Sequence, residues 1–164
     1  MRRQAKRERT ADEATDPLAI REAALGLLAR RDHAAPELER KLKERGFDRL
    51  AAGAVIQELA AEHLLDDERY VEHFVAYHVT RGQGPARITA ELRQLQLPAD
   101  IIRRHLDAVV DWPGHARVVR RKKFGATIPG SYSARAKQAR FLQYRGFSSD
   151  HIRAALAGDV EPQE

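Results

Sequence analysis

The chain repeats itself at a spacing of fifty residues. The segments "LERKLKERGF" (38–47), "ITAELRQLQL" (88–97) and "QARFLQYRGF" (138–147) share one pattern. Leu42, Leu92 and Leu142 occupy equivalent places in it, as do Phe47, Leu97 and Phe147. After them come Val55/Leu59, Ile102/Leu106 and Ile152/Leu156, pairs spaced to share one side of a helix. The first repeat has about three extra residues before its pair. One unit of roughly 45 residues is too small to bury a good core by itself. A fixed period therefore predicts tandem units whose stacking completes a common core and builds an elongated body.

The punctuation within each unit is helical. Asp16-Pro17 reads as an N-cap followed by a proline where a missing N–H costs nothing, with Ile20, Ala24, Leu27 and Leu28 on one face. A second helix begins near Pro36 and stops at Gly46, and a third carries Val55, Ile56 and Leu59. Asp66 caps a fourth, in which Asp67 and Glu68 complement the positive helix end and Tyr70, Phe74 and Tyr77 share a face; Gly82 ends it. Pro85, Pro98 and Pro113 open three more, Ser133 caps an eighth that stops at Gly146, and Ser148 or Ser149 caps a ninth. No period-2 strand pattern occurs. The expected fold is all-α: three tandem three-helix repeats over residues 17–65, 66–111 and 112–157. A disordered charged arm (1–16) precedes them and a tail (158–164) follows.

Net charge is +5, but unevenly spread. From Trp112 to Ser149 there are nine Lys/Arg and no Asp/Glu, so the remainder carries 20 basic and 24 acidic residues. Six of the ten aromatics fall in the same window. Such a block attracts an anionic partner. There is no Cys, which excludes disulfides and thiolate metal sites. No apolar run approaches the roughly 20 residues of a membrane span, and "MRRQAKRERTADEATD" lacks the apolar stretch of a secretory signal.

Four motifs invite a chemical reading. "TRGQGPARI" (80–88) resembles a phosphate loop, yet it lacks the Lys-Ser/Thr ending and no strand precedes it; a helix stop and restart explains it, with Arg81 and Arg87 as flanking contact candidates. "RVVRRKKF" spans a full helical turn, so its cations cannot all face one partner. Arg117, Arg120, Arg121, Lys122 and Lys123 are binding candidates there, extended by Arg135, Lys137, Arg140 and Arg145. Phe141 and Phe147 sit at core positions of the register, which leaves Tyr132 and Tyr144 as candidates for exposed stacking. "DDER" is explained by helix capping, and His73 and His78 are five apart rather than the four of a helical ligand pair. No catalytic residue, metal site or cofactor is expected. A helix-turn-helix reading of the short helices is opposed by the three-fold register.

From about Ile20 to Leu156 the chain resembles the RecX regulatory proteins. The resemblance is carried by "ALGLLARRDHAAPELERKLKERGF", "LLDDERYVEHFV", "RGQGPARITAEL" and "KQARFLQYRGFSSDHIRAAL", in that order and spacing. Three positions depart from the family pattern. Ala34 stands where a capping Ser is common, so that either Asp32 substitutes or the cap is lost at about 1 kcal/mol; His63 and Gln96 stand where glycine is expected. The resemblance implies a non-enzymatic, cytoplasmic, monomeric modulator that binds RecA recombinase filaments on single-stranded DNA. It implies lying in the filament groove, inhibition of ATPase, strand-exchange and co-protease activities, and a place in DNA repair and the SOS response. The residues alone support a second reading, a general single-stranded nucleic-acid-binding helical module.

Overall fold

The computed structural model describes residues 9–109 and 111–157, and every regular element among them is an α-helix. In chain order they are α1 (Ala11–Thr15), α2 (Pro17–Leu28), α3 (Ala35–Glu44), α4 (Arg49–Ala61) and α5 (Asp67–Thr80). There follow α6 (Pro85–Gln94), α7 (Ala99–Asp107), α8 (Trp112–Phe124), α9 (Tyr132–Tyr144) and α10 (Ser149–Leu156). The fold is all-α, and the tandem three-helix repeats are α2–α4, α5–α7 and α8–α10.

The expectation of a disordered arm over residues 1–16 needs correction where it can be compared. Residues 1–8 lie outside the described residues, as does the tail from 158, but residues 11–15 form α1. The cause is a capping box in "TADE": Thr10 Oγ1 accepts from Glu13 N at 3.2 Å, and Thr10 N donates to Glu13 Oε2 at 3.1 Å. Two other helix starts also differ. Ser131 rather than Ser133 caps α9, accepting from Ala134 N at 3.3 Å. Ala34 gives α3 no side-chain cap. The acceptor for Ala35 N is Asp67 Oδ1, thirty-two residues along the chain, at 2.7 Å. Asp66 keeps the local duty, accepting from Arg69 N at 3.0 Å. The two neighbouring aspartates thus serve two different helices.

The chain forms two compact units, one running through Tyr70 and including residues 95–97, the other formed by residues 71–94 and those from 98 on. In the first, Ile20, Leu38, Leu42 and Leu59 are fully buried, with Val55, Phe47 and Leu65 nearly so. In the second, Val71, Ile88, Leu92 and Leu142 have no exposed surface. Each such side chain removed from water contributes roughly 1.5–3 kcal/mol. On α5 the buried positions are Val71 and Val75. The aromatic stripe expected there is only partly inward: Tyr77 is 56% exposed.

The helix ends explain the repeat. Leu42, Leu92 and Leu142 are each 0% exposed, and Phe47, Leu97 and Phe147 are all buried. Between them the chain reverses at a left-handed residue: Gly46 (φ 87°), Gln96 (φ 60°) and Gly146 (φ 93°). At the first and last, Phe47 N and Phe147 N donate back to Leu42 O (3.2 Å) and Leu142 O (3.1 Å), closing the helix and swinging the ring under it. Gln96 holds this conformation with a side chain, as His63 does at φ 58° after α4. The left-handed region is strained for a residue with a Cβ.

Substituting Gln96→Gly is expected to raise stability by about 0.5–1 kcal/mol, the relief of strain less the added entropy of the unfolded chain. The matching change Gly146→Ala is expected to lower it, because the position combines φ 93° with a neighbour, Arg87 Cβ, only 2.5 Å from any added Cβ. Urea midpoints at constant slope measure both; a shift of the same sign for the two variants would contradict the account.

Candidate functional site

The α5–α6 loop ends α5 at Gly82, whose φ is 74°. Its N–H groups are already committed: Gly82 N donates to Val79 O at 2.9 Å and Gln83 N to His78 O at 3.1 Å, and the next two donors reach across to another turn. Gly84 N donates to Arg145 O at 2.7 Å, and Ala86 N donates to Gly146 O at 3.0 Å. The groups that would cradle a phosphate are instead bonded to the turn after α9. The approach is so close that a Cβ on Gly84 would run into the Gly146 carbonyl. Gly84 and Gly146 therefore let two stretches of backbone lie against each other, and this fixes where Arg145 stands.

Arg145 then forms one wall of a cleft of about 620 Å³ whose lining includes Thr80, Arg81, Gly82, His115, Val118, Val119, Lys122, Lys123 and Phe141. Arg145 donates from Nη1 to Arg81 O at 2.9 Å, and its guanidinium lies 5.2 Å from the Phe141 ring centre. Arg81 reaches the Tyr77 hydroxyl at 3.2 Å. Four permanent cations face one concavity that has no acidic lining residue. In a cleft with low-dielectric walls their fields add and draw in an anion. His115 contributes shape rather than charge: burial holds its pKa below the ordinary value, partly offset by a bond to the Val79 backbone.

The basic run on α8 is divided by helical geometry. His115, Val118, Val119, Lys122 and Lys123 recur at helical spacing and line the cleft. Arg117, half-buried, and Arg121, exposed, lie on another side of the helix. Arg120 corrects the sequence reading outright, for it is 1% exposed and unable to meet a partner from that position. Its guanidinium donates to Ala126 O at 3.0 Å, Thr127 O at 3.2 Å and Gln138 Oε1 at 3.4 Å, tying the α8–α9 loop to the interior. The fifty-residue register carried the signal. Arg120 is equivalent to Ile20 and Tyr70, and Gln138 to Leu38 and Ile88. Where the first repeat packs Ile20 and Leu38, the third places a buried polar pair.

The other candidates are dispersed. Arg87 pairs with Glu91 (Nε to Oε1, 3.0 Å), and its guanidinium lies 5.7 Å from the ring centre of Tyr144. Arg135 donates to Leu156 O at 2.8 Å, occupying a carbonyl at the end of α10. Lys137 and Arg140 are exposed on α9, Tyr132 is 88% exposed and Tyr144 78%. Of the sequence-nominated residues the cleft gathers Arg81, Lys122, Lys123 and Arg145. Sequence reasoning missed Thr80, His115, Val118 and the outward edge of Phe141, which only the meeting of α5, α8 and α9 brings together. Among the described residues no group of three or more His, Asp or Glu is placed to hold a metal, and no helix is long and apolar enough to cross a membrane.

These features define an all-α tandem-repeat protein whose most concentrated charge lies in a cleft lined by four cationic side chains and no acidic one. Family models described as the first, second and third three-helix domains of RecX match residues 21–59, 66–106 and 115–156. The regulatory protein RecX of Halorhodospira halophila is 48% identical over 89% of this chain and 91% of its own. That of Ectopseudomonas mendocina is 46% identical over 87% of this chain and 96% of its own. The crystal structure of RecX from Lactobacillus salivarius shares the fold, with a TM-score of 0.76 and 22% identity over 88% of this chain and 96% of that one. The chain belongs to the RecX family; its curated relatives are named regulatory proteins, not enzymes.

Two outcomes are expected. Arg120→Ile alone should cost about 3 kcal/mol or more, because Gln138 and two carbonyls lose a buried partner. Combining it with Gln138→Leu, which restores the first repeat's pair, should recover a large part of that loss in a double-mutant cycle; strict additivity would refute the coupling. Secondly, His33 and His115 both have pKa values lowered chiefly by burial. The unfolded chain then takes up protons first, so stability present above the ordinary histidine value of about 6.5 is lost as pH falls below it. His115→Gln should flatten that decline in denaturation curves taken from neutral to mildly acidic pH.

Proposed function

We propose that this chain is a cytoplasmic, monomeric regulator that binds RecA nucleoprotein filaments and inhibits their ATPase, strand-exchange and co-protease activities. The observation that carries the reading is the succession of three RecX three-helix domains along the chain. The cleft supplies a contact of suitable chemistry. Arg81, Lys122, Lys123 and Arg145 would meet either an acidic face of the filament or the phosphates of the strand it encloses. Tyr132 and Tyr144 are exposed enough to stack on bases. Several weak contacts made together raise avidity without any one being strong.

A second reading, a general single-stranded nucleic-acid-binding module, is favoured by the cleft alone, since clustered cations without acids suit phosphate from any source. One experiment separates the two. RecA-catalysed ATP hydrolysis on single-stranded DNA is followed as this protein is added, with co-sedimentation in parallel. Dose-dependent suppression is expected; no change at saturation together with no co-sedimentation would overturn the regulator reading. The triple variant Arg81→Ala/Lys122→Ala/Lys123→Ala should reduce the steepness of log K against log salt for free single strands by about 2, roughly 0.7 for each lost phosphate contact. If inhibition survives in that variant while free-strand binding is lost, the cleft serves DNA and the filament is recognised elsewhere.

A further inference from the structure

The repeat register pairs the cationic cleft with a second one. A cleft of about 340 Å³ beside α2 is lined by Ala19, Glu22, Ala23 and Arg45, joined by Arg9 and Arg30. One hundred residues further on, Val119, Lys122, Lys123 and Arg145 line the cleft of the third repeat. All four pairs are equivalent in the fifty-residue register taken twice. Burial fixes that register independently, for Ile20 and Arg120, Leu42 and Leu142, and Phe47 and Phe147 are buried alike. Two concavities at the same four positions belong to the repeat itself, to the way the first helix of a unit lies beside the end of its second.

The chemistry is alike as well. Arg145 O accepts from Gly84 N at 2.7 Å, and Arg45 O accepts from Arg9 Nε at 3.0 Å. Each cleft sets one guanidinium against a ring: Arg145 stands 5.2 Å from the centre of Phe141, and Arg9 stands 3.9 Å from that of Phe47. Arg45 Nη1 donates to Ala23 O at 3.4 Å, across the same cleft. A guanidinium held on an aromatic face keeps its charge and its planar fork, which match a phosphate better than an ammonium does. The clefts differ in one position. Glu22 stands where Lys122 stands, so three arginines are set against one carboxylate in the first repeat, and four cations against none in the third. In the second repeat Leu95 takes the place of Arg45 and Arg145.

We propose, resting on the reading of the third-repeat cleft as a contact for strand phosphates, that Arg9, Arg30 and Arg45 form a second phosphate-binding site for the backbone of a single nucleic-acid strand, with Glu22 holding it to a lower affinity. A strand is favoured over an acidic protein face because its charge recurs at every nucleotide, so clefts in different repeats need no specially matched partner. A protein face would have to offer a carboxylate opposite each.

Binding of a fluorescent oligothymidylate is measured against salt in the full chain carrying Arg81→Ala/Lys122→Ala/Lys123→Ala, which silences the third-repeat cleft. Weaker binding than in the unchanged protein is expected to remain. Adding Arg30→Ala/Arg45→Ala should reduce the steepness of log K against log salt by about 1.4, roughly 0.7 for each lost contact. Adding Glu22→Lys instead gives the first repeat the third repeat's charge at an exposed position, and should tighten binding several-fold and steepen the slope by about 0.7. If neither addition moves affinity or slope, the second site is overturned, while the weakening caused by the triple variant leaves the third-repeat reading standing. If the triple variant binds as the unchanged protein does and the first-repeat changes still act, the second site stands and the third-repeat reading falls. A poly-glutamate peptide that binds as tightly as the strand and responds to the same changes would assign the cleft to an acidic protein and overturn the strand. If Arg30→Ala/Arg45→Ala loses helicity by circular dichroism, or the triple variant binds too weakly to measure, Glu22→Lys decides alone: a gain in strand binding supports the site, and none refutes it.

Discussion

Everything in this fold turns on how the second helix of a repeat ends. A single left-handed residue reverses the chain, the next large side chain swings beneath the helix, and its N–H closes the last turn. That one event buries Phe47 and Phe147 beside Leu42 and Leu142. It also leaves the Arg45, Arg145 and Gly146 carbonyls facing outward, where each is met by a donor from another segment. At the turn after α9 the bonds from Gly84 N and Ala86 N hold the backbone of Arg145 and Gly146, and with it one wall of the cationic cleft, in place.

The cleft shows how a basic sequence is partitioned by geometry. Of the five cations on α8, two face the concavity, one is drawn inside to hold a loop, and two lie on another side. Net charge measures attraction at a distance, which depends little on this division. Contact depends on it wholly. The spacing of Lys122 and Lys123 from Arg81 and Arg145 is set by packed helices and by the Gly84–Gly146 approach rather than by the run of basic residues as such.

Much of the architecture was legible because burial along a helix has a period and the repeat multiplied it. Leu42, Leu92 and Leu142, the glycine stops and the proline starts all speak through local pattern. Three features did not. Arg120 reads as surface on hydropathy, and its burial shows only when the register sets it beside Ile20 and Tyr70. The capping box of Thr10 and Glu13 is a local signal, but it lies in a stretch whose charge suggests an unstructured arm. Asp67 has a local role available at the start of α5, and nothing in its neighbours points to Ala35. The cleft was half legible: its cations stand out in composition, whereas Thr80, His115 and Phe141 join them only through tertiary packing.

The bond from Ala35 N to Asp67 has a bearing on the order in which the chain takes shape as it is synthesised. Most helices carry their own cap, so each can close as soon as its residues emerge. The start of α3 gains its acceptor later, because that group belongs to the next repeat and is synthesised thirty-two residues afterwards. The first repeat is thus completed only when the second has begun. What looks in sequence like a missing serine at Ala34 is a cap lent by the next repeat, available to α3 only after residue 67 has been made.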